Sequence, residues 1–237
     1  MGVLPGIGGL IVAAGGSLIQ KGYGYAYGTT APYDLALGYG TVVSGEPPEP
    51  GDLVVWLVTA GNTAINDLTA LGWAQQRKNT ASWAGVATLA KVLVSGDISS
   101  PPEAITDAGR GACGMWVAYS IEGTIEALAC AGLTDSYSTG APSARSVNSS
   151  ALMDNQVAIT MSHAWGDDDN ISLAWSGAVP DIQYQAPVSI LAASTGGPLV
   201  VEVEWGVHLA VGGENITVSQ GDDGANGLAA GYVAVTF

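Results

Sequence analysis

The sequence predicts an all-β protein: a single antiparallel β-sandwich, jelly-roll-like in kind, preceded by an extended N-terminal arm. Three observations lead there. The run Gly51-Asp52-Leu53-Val54-Val55-Trp56-Leu57-Val58 leaves a Gly-Asp turn, stays apolar throughout and ends at polar Thr59 and Asn62, with Gly72-Trp73 closing the unit. An unbroken apolar run bounded by turn residues reads as a strand buried on both faces. The 34 glycines, about twice the average share, have no fixed period and fall between short apolar runs, where tight turns need them. Further strand-like runs follow at 82–94, 112–120, 124–130, 156–163, 171–175, 188–193, 199–211 and 228–237, separated by Gly, Pro, Asn, Asp and Ser. The only helical turn expected is at 63–71.

Residues 1–40 are expected to form the arm and residues 41–237 the sandwich. Residues 1–20 carry no charge, lack the basic start of a secretory signal, and contain Gly2, Gly6, Gly8, Gly9, Gly15, Gly16 and Pro5. These glycines weaken a membrane-spanning helix, and Lys21 follows at once. The remaining readings are an arm docked on a partner or a strand of the domain's own core. The first predicts that removing residues 1–20 leaves a folded sandwich that no longer assembles. In Tyr23-Gly24-Tyr25-Ala26-Tyr27, alternation puts the three tyrosines on one strand face. That face is either a packing surface, for its own domain or a second copy, or a platform for stacking a sugar.

Cys113 and Cys130 lie in runs that can pair as a hairpin around Glu122-Gly123. In that register they are diagonal neighbours roughly 7–8 Å apart, beyond the usual disulfide span, so two buried free thiols are expected.

Composition excludes whole classes of partner. A chain of 237 residues with 48% hydrophobic content can bury a substantial core. Its net charge of −15, with Lys21, Arg77, Lys78, Lys91, Arg110 and Arg145 scattered along the chain, repels phosphate backbones and anionic membranes. No nucleic acid and no membrane span are expected.

Three groups are weighed as chemistry. Along Val201-Glu202-Val203-Glu204-Trp205-Gly206-Val207-His208, alternation puts Glu202, Glu204 and His208 on one face. Two carboxylates at i and i+2, about 7 Å apart, suit a two-carboxylate glycosidase, and also a solvated sheet face or a metal site. Asp167-Asp168-Asp169-Asn170 and Gly221-Asp222-Asp223-Gly224 are oxygen-rich loops without the spacing of a calcium loop. His163 and His208 are the only histidines, and no nucleophile, phosphate-loop or zinc motif accompanies them. No catalytic residue, cofactor or metal is therefore assigned.

The order Pro47-Pro48-Glu49-Pro50-Gly51-Asp52-Leu53-Val54-Val55, then Gly72-Trp73, a long strand ending near Lys91, Gly114 to Tyr119, and an apolar strand after Asp154-Asn155 resembles a β-sandwich domain of phage virion proteins. Tail-fibre, minor tail and head-decoration components carry that domain, and the likeness covers roughly residues 40 to 237. Where the family often has Arg after an Ala-Tyr pair, this chain has Ala118-Tyr119-Ser120, and no functional residue is carried over. The resemblance implies a non-enzymatic structural protein on the virion surface. It would be a homo-oligomer, with a trimer favoured, attached to other virion proteins by its arm and able to touch a host glycan. Tyr23, Tyr25 and Tyr27 are the expected assembly or glycan contacts. The alternatives are a carbohydrate-binding module of an adhesin and, behind it, the glycosidase.

Overall fold

The computed structural model describes residues 10–28, 41–61, 64–79, 84–103, 112–138, 145–148, 155–166, 173–177, 182–194, 197–209, 215–220 and 226–237. Among them the backbone is almost wholly extended. The strands are β1 (Leu10–Ala13), β2 (Gly16–Gly28), β3 (Thr41–Gly45), β4 (Leu53–Gly61), β5 (Ala74–Asn79), β6 (Ala84–Val92), β7 (Ala112–Gly123), β8 (Ala127–Ser138), β9 (Arg145–Asn148), β10 (Gln156–Gly166), β11 (Leu173–Gly177), β12 (Ile182–Ser194), β13 (Gly197–Leu209), β14 (Asn215–Gln220) and β15 (Asn226–Thr236). A single short helix, α1 (Ser95–Ser99), and a 3-10 turn, Thr69–Leu71, interrupt them. The fold class is all-β, as expected.

A seven-stranded sheet runs in the order β1-β2-β7-β4-β6-β5, with β3 also on β2. A five-stranded sheet runs β12-β13-β10-β15-β8, and three short strands form β11-β14-β9. Every strand pair is antiparallel. The two large sheets share one buried cluster. Leu18, Leu53, Val55, Leu57, Val86, Met115, Val117 and Tyr119 come from the larger sheet, and Val157, Ile159, Met161, Ala229, Val233 and Val235 from the smaller. The arrangement is sandwich-like: two sheets remove each other's apolar faces from water.

The larger sheet is apolar on its outer face as well, where Val54, Trp56, Val58, Ala87, Leu89, Trp116 and Ala118 join Ile65, Leu68, Trp73 and Leu93 in a second cluster. β4 lies between β6 and β7 and is buried without interruption from Leu53 to Val58, which is why its sequence shows no alternation. Its entry turn is tied down from several sides. Asp52 N–H donates to Glu49 O (3.1 Å), and the Asp52 carboxylate accepts from Glu49 N–H (2.8 Å) and Lys21 Nζ (3.1 Å). Gly51 N–H donates to Leu93 O and Leu93 N–H to Asp52 O, both at 2.9 Å.

Three expectations are corrected. The segment placed in a separate arm is sheet from Leu10 to Gly28: β1 and β2 form a hairpin, and β2 pairs with β7 along its length. The glycines that argued against a helix serve the hairpin instead. Gly15 turns at φ +106°, and a Cβ at Gly16 would sit 2.1 Å from Cδ1 of the Phe237 ring packed on it. Residues 1–9 and 29–40 lie outside the described residues.

The hairpin expected between 112–120 and 124–130 does not form. β7 is buried on both faces from Gly114 to Tyr119 and is flanked by β2 and β4, so β8 crosses to the other sheet and pairs with β15. Finally, the helical turn at 63–71 narrows to Thr69–Leu71, and α1 was not expected at all.

Candidate functional site

A cleft of about 490 Å³ opens where the chain passes from one sheet to the other, lined by Thr69, Gly72, Trp73, Ala74, Lys91, Val92, Ile125, Glu126, Ala127 and Leu128. One wall is the turn into β5. Its backbone is held by side chains: Gln75 Oε1 accepts from Leu68 N–H (2.8 Å), Gln75 Nε2 donates to Asn66 O (2.8 Å), and Arg77 donates to Ile65 O (2.9 Å) and the Asp67 carboxylate (3.2 Å). The Thr69 hydroxyl and N–H donate to Asp67, and with the Arg77 charge they hold its carboxyl below the usual range. An irregular turn needs such ties because it has no strand ladder to satisfy its backbone.

Lys91 forms the second wall. Its ammonium donates to Leu71 O and Asp97 Oδ1, both at 2.7 Å, and stands 5.9 Å from the centroid of the Trp73 ring. Asp97 is fixed in turn by Val94 N–H at 2.9 Å, which starts α1. The third wall is the crossover between β7 and β8, anchored by Glu126 N–H donating to Thr236 O (2.8 Å). Glu126 itself is exposed, and its carboxylate has no ion pair among the described residues.

Behind the cleft the sheets are stitched edge to edge. The Cys130 thiol donates to Ala74 O at 3.3 Å, Leu133 N–H donates to Gln76 Oε1 at 2.8 Å, and Lys78 pairs with Asp135. Leu133 N–H is free for this because β8 bulges against β15 at Gly132 and Leu133, opposite Gly231. Burial pushes the Cys130 thiol up to about 12.

The residues singled out in the sequence fall elsewhere. Tyr23 is half-buried against the shared core, where β2 runs beside Val117, so it is no open platform. The side chains of Tyr25 and Tyr27 lie outside the described residues, as does that of Cys113. Cys130 is a free thiol, half-buried. Glu202, Glu204 and His208 sit on β13, registered with Ala164, Ser162 and Ala158 of β10, and His163 is on β10. Their side chains, and the loops Asp167 to Asn170 and Gly221 to Gly224, are outside the described residues. Among the described residues no three His, Cys, Asp or Glu side chains are grouped to hold a metal ion, and no helix is long and apolar enough to cross a membrane.

Sequence reasoning missed Lys91, Asp97 and Glu126. A usable signal was Lys91, a lone cation ending the apolar strand Val86-Ala87-Thr88-Leu89-Ala90, with Asp97 the next charge along the chain. Comparison with known protein families, curated proteins and solved structures finds no match for this chain.

Proposed function

We propose that the chain is a non-enzymatic structural protein of a phage particle, displayed on the particle surface as a head decoration, spike or tail-fibre component, and self-associating, with a trimer favoured. The observation that carries this reading is where the resemblance falls. Its longest piece, Pro47 to Val55, runs through buried Pro48 and the Asp52-locked turn into β4, in the interior of the larger sheet. A likeness whose longest piece is an inner strand and its entry turn is a likeness of a rigid carrier, and function on such a carrier resides on its surface. The net charge of −15 keeps such a surface soluble at high local concentration. Attachment does not rest on a detached arm, since Leu10 to Gly28 belong to the sheet.

Glycan binding is not favoured by the described aromatics. Trp73 is only 4% exposed with Lys91 over its ring, and Tyr23 packs on the core. Immunogold microscopy of intact particles produced by cells carrying the gene should decorate heads or tails with antibody to the chain, and light scattering of the purified protein should give three chains per particle. Particles that are never labelled and lack the chain by mass spectrometry would sink the virion reading.

A further inference from the structure

Two of the exposed apolar side chains lie close along the chain to the lining of the cleft. Among the described residues, the large hydrophobic side chains left open are Val42 (38%), Leu71 (55%) and Val94 (56%). Leu71 and Val94 stand at the two ends of the Lys91–Asp97 pair: the carbonyl of Leu71 takes the ammonium, and the N–H of Val94 donates to the carboxylate. Leu71 precedes the lining residue Gly72 in the chain and Val94 follows Val92, and the apolar part of the lining itself is Trp73, Ala74, Val92, Ile125 and Leu128. A concave site with an apolar lining and a few polar groups is the usual form of a binding pocket.

Its electrostatics select the occupant. Lys91 is already engaged by a carbonyl, a carboxylate and a ring, so it has little left for an anion. The unpaired charge at the cleft is Glu126, on a chain whose net charge is −15. A phosphate or acidic segment is repelled, while a cation is drawn in. The walls give that cation's stem an apolar bed. Arginine meets both demands, with methylenes that lie along apolar surface and a planar head that pairs with a carboxylate. A sugar meets neither, because the one aromatic ring in the wall has its face covered.

We propose that this cleft is a docking site for a segment of a partner protein that presents an arginine between apolar side chains. The site is independent of where the chain resides, so it stands or falls apart from the virion reading. The test uses the full chain and two labelled peptides, one with an arginine between two leucines and one with glutamate in its place. The arginine peptide is expected to bind saturably, shift the indole signal of Trp73 in NMR spectra, and bind at least tenfold more tightly than the glutamate peptide. Glu126→Lys should weaken it about tenfold and Glu126→Gln about threefold, both at an exposed position that leaves the circular dichroism unchanged. Leu71→Ser, which leaves the net charge intact, should weaken it about threefold and so separates docking from general attraction to an acidic surface. Equal binding of the two peptides, or binding untouched by Glu126→Lys and Leu71→Ser, would overturn the proposal. So would a neutral disaccharide that shifts the Trp73 signal while the arginine peptide does not.

Discussion

On its inner face the larger sheet meets strands from the far end of the chain, where Leu53, Val55, Leu57 and Met115 pack with Val157, Ile159, Met161 and Val233. On its outer face the same β4 and β7 turn Trp56 and Trp116, direct partners in the ladder, toward residues that follow β4 closely in sequence, Ile65, Leu68 and Trp73. A second sheet covers a face with its own hydrogen bonds already made. A short irregular segment brings unsatisfied backbone that side chains must complete, which is the work of Gln75, Arg77 and Asn66. Such a cover is uneven, and large indoles fill it at some expense in polar satisfaction. The N–H groups of Trp56, Trp73 and Trp116 are buried without an acceptor among the described residues, where each unmet donor costs about 1–3 kcal/mol.

The contrast can be broken at several points. Deleting residues 1–20 removes β1, Leu18 of the inner cluster and the first pairs of the β2–β7 ladder. Loss of the cooperative thermal transition in circular dichroism is expected, the reverse of what a detached arm implies. A truncated chain that melts cooperatively would return the segment to the role of an accessory. Next in size are Trp56→Ala and Leu57→Ala, neighbours on β4 that face opposite clusters. Costs of about 3–5 and about 2–5 kcal/mol are expected in denaturant melts. A loss below about 1 kcal/mol at Trp56 alone would mean that the outer cover is too loose to matter.

Arg77→Ala sharpens the comparison further, because it unties the outer cover at Ile65 O and Asp67 and touches nothing in the inner core. Its pair with Asp67 is exposed, so global stability should fall by about 1 kcal/mol or less, while acrylamide quenching of tryptophan emission should rise. Quenching unchanged from the parent would show that the cover does not depend on this tie. The smallest effect is confined to alkaline solution. Burial lowers the Lys21 ammonium pKa, but hydrogen bonds to Glu49 and Asp52 and their charges outweigh it, and the net shift is upward from 10.5. A raised pKa adds stability that is fully present below the ordinary lysine value and is lost as the pH climbs through the folded one. The parent should therefore lose stability above pH 10.5 more steeply than Lys21→Met. Parallel alkaline profiles would refute that linkage.

Legibility followed the kind of cover each strand has. β4 was plain because burial on both faces leaves a run with no polar interruption, Leu53 to Val58. β5 was not, since Gln75, Gln76, Arg77 and Lys78 spell an exposed edge whose residues earn their place by reaching across to β8 and the Ile65–Leu68 backbone. β1 and the start of β2 stayed open between a docked arm and a core strand because glycines at a hairpin look the same in sequence as glycines in a loose arm, until Phe237 is seen packed on Gly16. The cleft was invisible for a related reason. Lys91, Trp73 and Glu126 come from three separate segments, and nothing local announces that β8 abandons β7 for the other sheet.

Cys130, at the stitched edge, has a practical consequence. With its pKa pushed up to about 12 and its proton directed at Ala74 O, the sulfur is almost never nucleophilic while the edge is closed. Its alkylation rate in a Cys113→Ser background is thus a clock for how often β5 and β8 part. Lys78→Ala, which removes the pair with Asp135 some distance along the same edge, should make that clock run faster without altering the melting curve much.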